Sequence, residues 1–266
     1  QVASYFGLIP CQDASAGVPE SDLIDLAMTS MGLSQITPFD PAERIIEYRV
    51  AGERPLVEKT VTGFVDELSR DSAAPGGGSV AALAGALAAG LSGMVANLTV
   101  GKAGYKKVGP EMKKIAEAGQ HLKDRLVRAV DDDTFAFNEV MDAFGLPKGN
   151  EEQAARDAAI LEANKGATLV PLTVLETIPE VLALAEAAGE RGNQNSLSDA
   201  GVAVLAARTA AMGAYYNVLI NLAGLDGDAA FVEEIRARAD RLAEQVTERC
   251  DALDRTFVEK LRGALG

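Results

Sequence analysis

Asp131, Asp132 and Asp133 stand inside a long helical pattern and run into the apolar Phe135, Ala136 and Phe137. Asp is a poor mid-helix residue because its side chain competes for nearby backbone groups. Successive helix positions point in different directions, so at least one of the three faces the apolar side. A carboxyl group pressed against Phe among acidic neighbours has a raised pKa, which suits it to proton transfer near neutrality. The alternative is a solvated acidic patch with one member paired to Arg125 or Arg128.

A second chemical feature is Ala73-Ala74-Pro75-Gly76-Gly77-Gly78-Ser79, which leads directly into an apolar helix. Successive glycines allow close backbone approach and expose N–H groups, and the helix start carries partial positive charge. The segment therefore suits an anion or a polar heterocycle, or else an ordinary loop with Ser79 as N-cap. It lacks the Gly-Lys-Ser ending of a phosphate-binding loop and follows no strand, which argues against a nucleotide.

Polar groups elsewhere carry similar pairs of meanings. Lys102, Lys106, Lys107, Lys113 and Lys114 have Glu111 as the only acid among them. They suit a carboxylated substrate, or form a solvated helix face. Asn193, Gln194, Asn195, Ser196, Ser198 and Asp199 precede an apolar helix that Ser198 or Asp199 is expected to cap. Asn217 and Asn221 are four apart and share a face of that helix, just after Tyr215 and Tyr216. Buried amides need partners, so they tie helices together or bind a heterocycle. His121, alone among charged residues, reads as a surface group.

Composition narrows the classes. Net charge is −14 over 266 residues, which argues against a nucleic-acid groove or an anionic membrane as partner. Trp is absent and aromatics are 5%, so the core must come from Ala, Leu, Val and Ile. One His and two distant Cys, Cys11 and Cys250, fit no metal cluster or disulfide framework. No basic region followed by an apolar run opens the chain, so no signal peptide is read and the chain suits a fragment or the tail of something longer; the expected location is cytoplasmic.

Positioning these groups falls to helices. Five of the ten prolines lie within residues 1–60, which read as a short extended piece, a helix over Ser21 to Leu33 with a Ser or Asp cap, and a linker. From Thr60 onward the expected helices are Val61–Ser69, Val80–Val100, Pro110–Phe144, Glu151–Ala188 (kinked at Pro171 and Pro179), Ser198–Leu222 and Asp228–Leu265. No alternating strand pattern follows, so the fold class is all-α: an antiparallel bundle of long helices behind a short leader. Ser72 to Gly101 carries no charge and is long enough to span a bilayer. Its Ala and Gly content, the small-residue stripe Ala81, Gly85, Ala89 and Gly93, and the absence of aromatic flanks favour a buried helix.

Four blocks, SAAPGGGSVAALAGALAAGLSGMVANLTVGK, VDDDTFAFNEVM, GNQNSLSDAGVA and GAYYNVLINL, resemble in order and spacing the formimidoyltetrahydrofolate cyclodeaminase family. That family includes the cyclodeaminase half of bifunctional glutamate formimidoyltransferase-cyclodeaminase and single-domain methenyltetrahydrofolate cyclohydrolases. FGLIP and TPFDPAERIIEYRV resemble the end of the transferase half and its connector. The resemblance implies two parts: residues 1–60, a transferase tail and linker, and residues 61–266, an all-helical cyclodeaminase domain. Without the transferase's catalytic histidine region, no transferase activity is expected.

The implied reaction eliminates ammonia from 5-formimidoyltetrahydrofolate to give 5,10-methenyltetrahydrofolate. The folate's own N10 attacks, so no enzyme nucleophile, metal or cofactor is required. The family's proton acceptor falls on Asp133. Gly76, Gly77, Gly78, Ser79, Lys102, Asn195, Asp199, Asn217 and Asn221 match family motif positions and are expected at the substrate. The lysines, Lys106 included, would hold a glutamate or polyglutamate tail. Family members form homodimers with the folate site near the subunit contact, and a formimidoyltransferase domain or subunit is a further expected partner. Two rivals remain: a cyclohydrolase, which the transferase-like leader disfavours, and a helical assembly module without catalysis.

Overall fold

Small side chains dominate the middle of the chain, and they let helices approach closely enough to bury a 21-residue segment rich in Ala and Gly. The computed structural model describes residues 17–35, 37–50, 54–149, 152–225 and 227–263. Cys11 and the FGLIP block lie outside them. The described residues form helices and no strand. The leader contributes α1 (Glu20–Met31), α2 (Pro41–Arg44) and α3 (Ile46–Val50). The bundle follows with α4 (Val61–Leu68), α5 (Gly77–Asn97), α6 (Gly109–Gly145), α7 (Gln153–Arg191), α8 (Leu197–Leu222) and α9 (Ala229–Gly263).

Cross-links along the helices define their directions. Ser79 meets Val130 while Gly93 meets Gly119, so α5 and α6 are antiparallel. Arg156 reaches the Phe144 carbonyl and Arg191 pairs with Glu111, so α6 and α7 are antiparallel too. Asn221 on α8 bonds Ala167 on α7, and Arg208 on α8 pairs with Asp251 on α9. α9 instead runs parallel to α7, with Arg238–Glu176 and Arg249–Glu186 as rungs. α5 lies at the centre against α6, α7 and α8. At Gly119 an added Cβ would lie 3.2 Å from the Ala89 carbonyl and from the Gly93 Cα, so a larger residue would push the two helices slightly apart at this crossing.

Helix ends depart from the sequence expectations. α1 starts at Pro19 with no side-chain cap, so neither Ser21 nor Asp22 plays that role, and it ends on left-handed Gly32. α5 starts three residues before Val80, with Gly76 as N-cap, which moves Ser79 from the cap into the buried first turn. α8 starts from Ser196 without a side-chain bond, leaving Ser198 and Asp199 inside its first turn.

α7 continues through Pro171 and Pro179 as one 39-residue helix. Proline has no N–H to donate four residues back, so Pro171 orphans the Ala167 carbonyl. The Asn221 amide donates to that carbonyl at 2.8 Å. α5 is long and apolar enough to cross a membrane, yet most of it is buried inside the bundle. Cys250 is buried between α8 and α9, and burial pushes its thiol up to about 11.

Candidate functional site

The opening turn of α5 faces the middle of α6. Helix starts leave N–H groups without intrahelical acceptors, and glycine brings them within reach of a neighbour. Gly78 packs so closely on Asp133 that an added Cβ would fall 2.0 Å from its Oδ1. At Gly77 the same addition would meet the Asn217 amide nitrogen at 3.0 Å. Gly77, Gly78, Ser79, Asp133 and Asn217 therefore form one cluster drawn from α5, α6 and α8.

Within it Ser79 is fully buried. Its Oγ lies 2.9 Å from the Val130 carbonyl and 3.1 Å from Asp133 Oδ2, with Thr134 Oγ1 at 3.4 Å. One hydroxyl proton serves either acceptor. With Asp133 ionised, Ser79 donates to it; with Asp133 protonated, the carboxylic acid can donate to Ser79 while Ser79 turns to Val130. Burial raises the Asp133 pKa above the ordinary carboxylate range, and hydrogen bonds from the Ser79 side chain and backbone pull it partly back. A carboxyl group so placed can accept a proton and return it.

The other two aspartates do different work. Asp131 has no exposed surface and accepts the N–H groups of Leu56 at 2.8 Å and Val57 at 3.3 Å. Asp132 pairs with Arg54 at 3.1 Å, so the one ion pair seen among the three aspartates is made with Arg54 and not with the Arg125 or Arg128 of the solvated-patch alternative. Only the folded chain brings the Arg54–Val57 segment to these positions, so no sequence signal marked it.

A second cluster sits beyond the far end of α5. Lys102 Nζ donates to Asn193 Oδ1 at 2.5 Å and lies 5.8 Å from the Tyr105 ring centre. Asn193 is buried, donating its backbone N–H to Thr99 Oγ1 at 2.8 Å. The Tyr105 hydroxyl accepts from the Gln194 N–H at 3.1 Å. Asn195 and Lys106 are exposed nearby, and Asp199 is half-buried in the first turn of α8. Thr99 and Tyr105 build this cluster together with Asn193, whose polar loop the sequence marks, and no sequence signal singles out Thr99 or Tyr105.

The two clusters are separated by the length of α5, about 31 Å at 1.5 Å per residue. One chain thus brings Gly76–Ser79, Asp133 and Asn217 together, and holds Lys102, Lys106, Asn195 and Asp199 apart from them. Asn217 also bonds the Gly213 carbonyl of its own helix at 2.8 Å, while Asn221 serves the α7–α8 contact. His121 is exposed, as expected.

The sequence profile described as Formiminotransferase-cyclodeaminase matches residues 60–241, and that of the Formiminotransferase domain matches residues 1–51. A methenyltetrahydrofolate cyclohydrolase from Methylorubrum extorquens is 47% identical over 177 residues, 66% of this chain and 85% of that protein. The mouse formimidoyltransferase-cyclodeaminase is 37% identical over 230 residues, 85% of this chain. This chain spans only 42% of that bifunctional relative. A solved formiminotetrahydrofolate cyclodeaminase from Thermotoga maritima superimposes with TM-score 0.66 at 28% identity, covering 79% of this chain and 98% of its own. With its matching profile spanning most of the helical bundle, this chain belongs to the formiminotransferase-cyclodeaminase family of folate one-carbon enzymes.

Proposed function

We propose that this chain is a cyclodeaminase that converts 5-formimidoyltetrahydrofolate to 5,10-methenyltetrahydrofolate and ammonia. The observation that carries this reading is Asp133, a carboxyl group of raised pKa held against the glycine turn of α5. The folate's N10 attacks the carbon of the N-protonated formimidoyl group, and Asp133 accepts the N10 proton. The resulting tetrahedral carbon bears N5, N10 and an amino group. Asp133 returns its proton to that amino group, ammonia leaves, and the N5–C–N10 amidinium of the methenyl product remains. Ser79 follows the proton by turning between Asp133 and Val130. Gly76, Gly77 and Asn217 border the place where the pterin edge would lie.

A homodimer completes this site in our reading. Leu87 and Met94 on α5, Leu98 just past its end, and Val202, Leu205 and Ile220 on α8 are exposed along two neighbouring helices. An antiparallel contact across this face carries the Lys102 end of one copy toward the Asp133 end of the other. Lys102 and Lys106 then meet the glutamate tail, with Asn195 and Asp199 beside them, while Asn221 supports the site from behind.

A second reading is a cyclohydrolase, in which Asp133 activates water for attack on the methenyl carbon to give 10-formyltetrahydrofolate. The 47% identity to the Methylorubrum extorquens protein favours it, and the transferase profile over residues 1–51 favours the cyclodeaminase. Purified protein is mixed with 5-formimidoyltetrahydrofolate, and methenyltetrahydrofolate absorbance is followed together with ammonia. Both rising together supports the cyclodeaminase. Hydrolysis of added methenyltetrahydrofolate without ammonia release from the first substrate selects the second reading. Silence in both assays overturns both.

A further inference from the structure

Asp131 is a fully buried carboxylate on the helix that carries Asp133, and its partners are backbone N–H groups of a segment some 75 residues upstream. Beside it Arg54 donates to Asp132 and, from the same nitrogen, to the Arg128 carbonyl, both at 3.1 Å. Leu56 is buried in the core. Residues 54–57 therefore form a strap across α6.

Residues two positions apart on an α-helix lie about 200° apart around the axis and about 3 Å apart along it. Asp131 and Asp133 thus project from nearly opposite sides of α6 at one level. In front, Asp133 is pressed against Gly78; behind, Asp131 holds the strap. Two directional, charge-assisted bonds to a carboxylate add to the packing that holds a helix in rotation, and a buried charge persists only where such bonds satisfy it. A turn of about 20° swings a carboxylate roughly 5 Å off the axis by nearly 2 Å. Displacements of that size move a base out of reach of its proton.

We propose that Asp131 is a positioning residue, whose bonds to Leu56 and Val57 fix the rotation of α6 and thereby the place of the Asp133 carboxylate against Gly78 and Ser79. The inference rests on Asp133 being the base of the proposed reaction. It makes the segment between the two family-matching regions a working part of the second.

The test is Asp131→Asn in the full chain, which keeps the side chain's size but turns an NH2 group toward one of the strap's donors. The expected result is a ten- to hundredfold fall in kcat with KM changed less than threefold. In substrate-free protein the carbon resonance of the Asp133 carboxyl and the amide resonance of Gly78 should both shift. Unchanged kcat, or a parallel loss in kcat and KM, overturns the proposal. The resonances need no turnover, so they decide it even where the wild type processes neither folate: unmoved signals overturn it, and moved signals support it while the functional reading falls separately. If Asp131→Asn does not fold, Arg54→Gln cuts only the exposed half of the strap. A fall in kcat of threefold or more with shifted resonances then supports the proposal, and wild-type values overturn it.

Discussion

The carboxyl group of Asp133 is pulled two ways: burial favours its neutral form, and Ser79 favours its charged form. Because its folded pKa lies above the unfolded one, the associated stability is complete below the unfolded pKa and is lost as pH rises through the folded one. Above its folded pKa the ionised group therefore burdens the fold. Asp133→Asn is expected to raise Tm at pH 7 while lowering kcat by about 10²-fold or more; a calorimetric scan beside the folate assay checks both. Ser79→Ala removes a donor to the carboxylate and raises its pKa further, so the acidic limb of kcat/KM moves to higher pH. Gly78→Ala places a methyl group 2.0 Å from Asp133 Oδ1 and forces the base aside. We expect it to cost about 10²-fold in kcat, read against the wild type at saturating substrate.

At the scale of elements, α7 is informative because its prolines contradict local helix preference. Asn221 offsets the donor missing at Pro171 by bonding the Ala167 carbonyl. Asn221→Ala should cost about 1 kcal/mol in urea unfolding, the usual worth of such a bond. In a Pro171→Ala background the restored backbone N–H should reduce that cost toward zero, and an undiminished cost would separate the two residues. The pair Asn217 and Asn221 was legible as one helix face, and the choice between tying helices and meeting a ligand was not. That choice depends on which carbonyl of a helix some 54 residues away lacks a donor. The three aspartates follow the same logic. Their spacing guarantees divergent directions, but the strap that claims Asp131 and the Arg54 that claims Asp132 are remote in sequence.

For the whole molecule, the separation between the Asp133 and Lys102 ends of α5 is what the proposed homodimer would bridge. Leu205→Glu together with Ile220→Glu places charge on the exposed face of α8. The expected outcome is a monomer in light scattering, with helix content retained and folate turnover lost. An active monomer would remove the second copy from the mechanism. The all-α class, the approximate extent of the long helices, the need for a close-packed Ala/Gly helix and the resemblance carried by the four blocks were all present in the sequence. Helical period, composition and local motif are short-range properties, and one chain displays them without folding. The tertiary structure alone decided which aspartate faces the glycine turn, which one holds the strap, and which amide repairs a proline. It also divided the expected substrate residues between two ends of one helix, because an antiparallel bundle sets the distance between motifs by helix length and packing order, which no local pattern records.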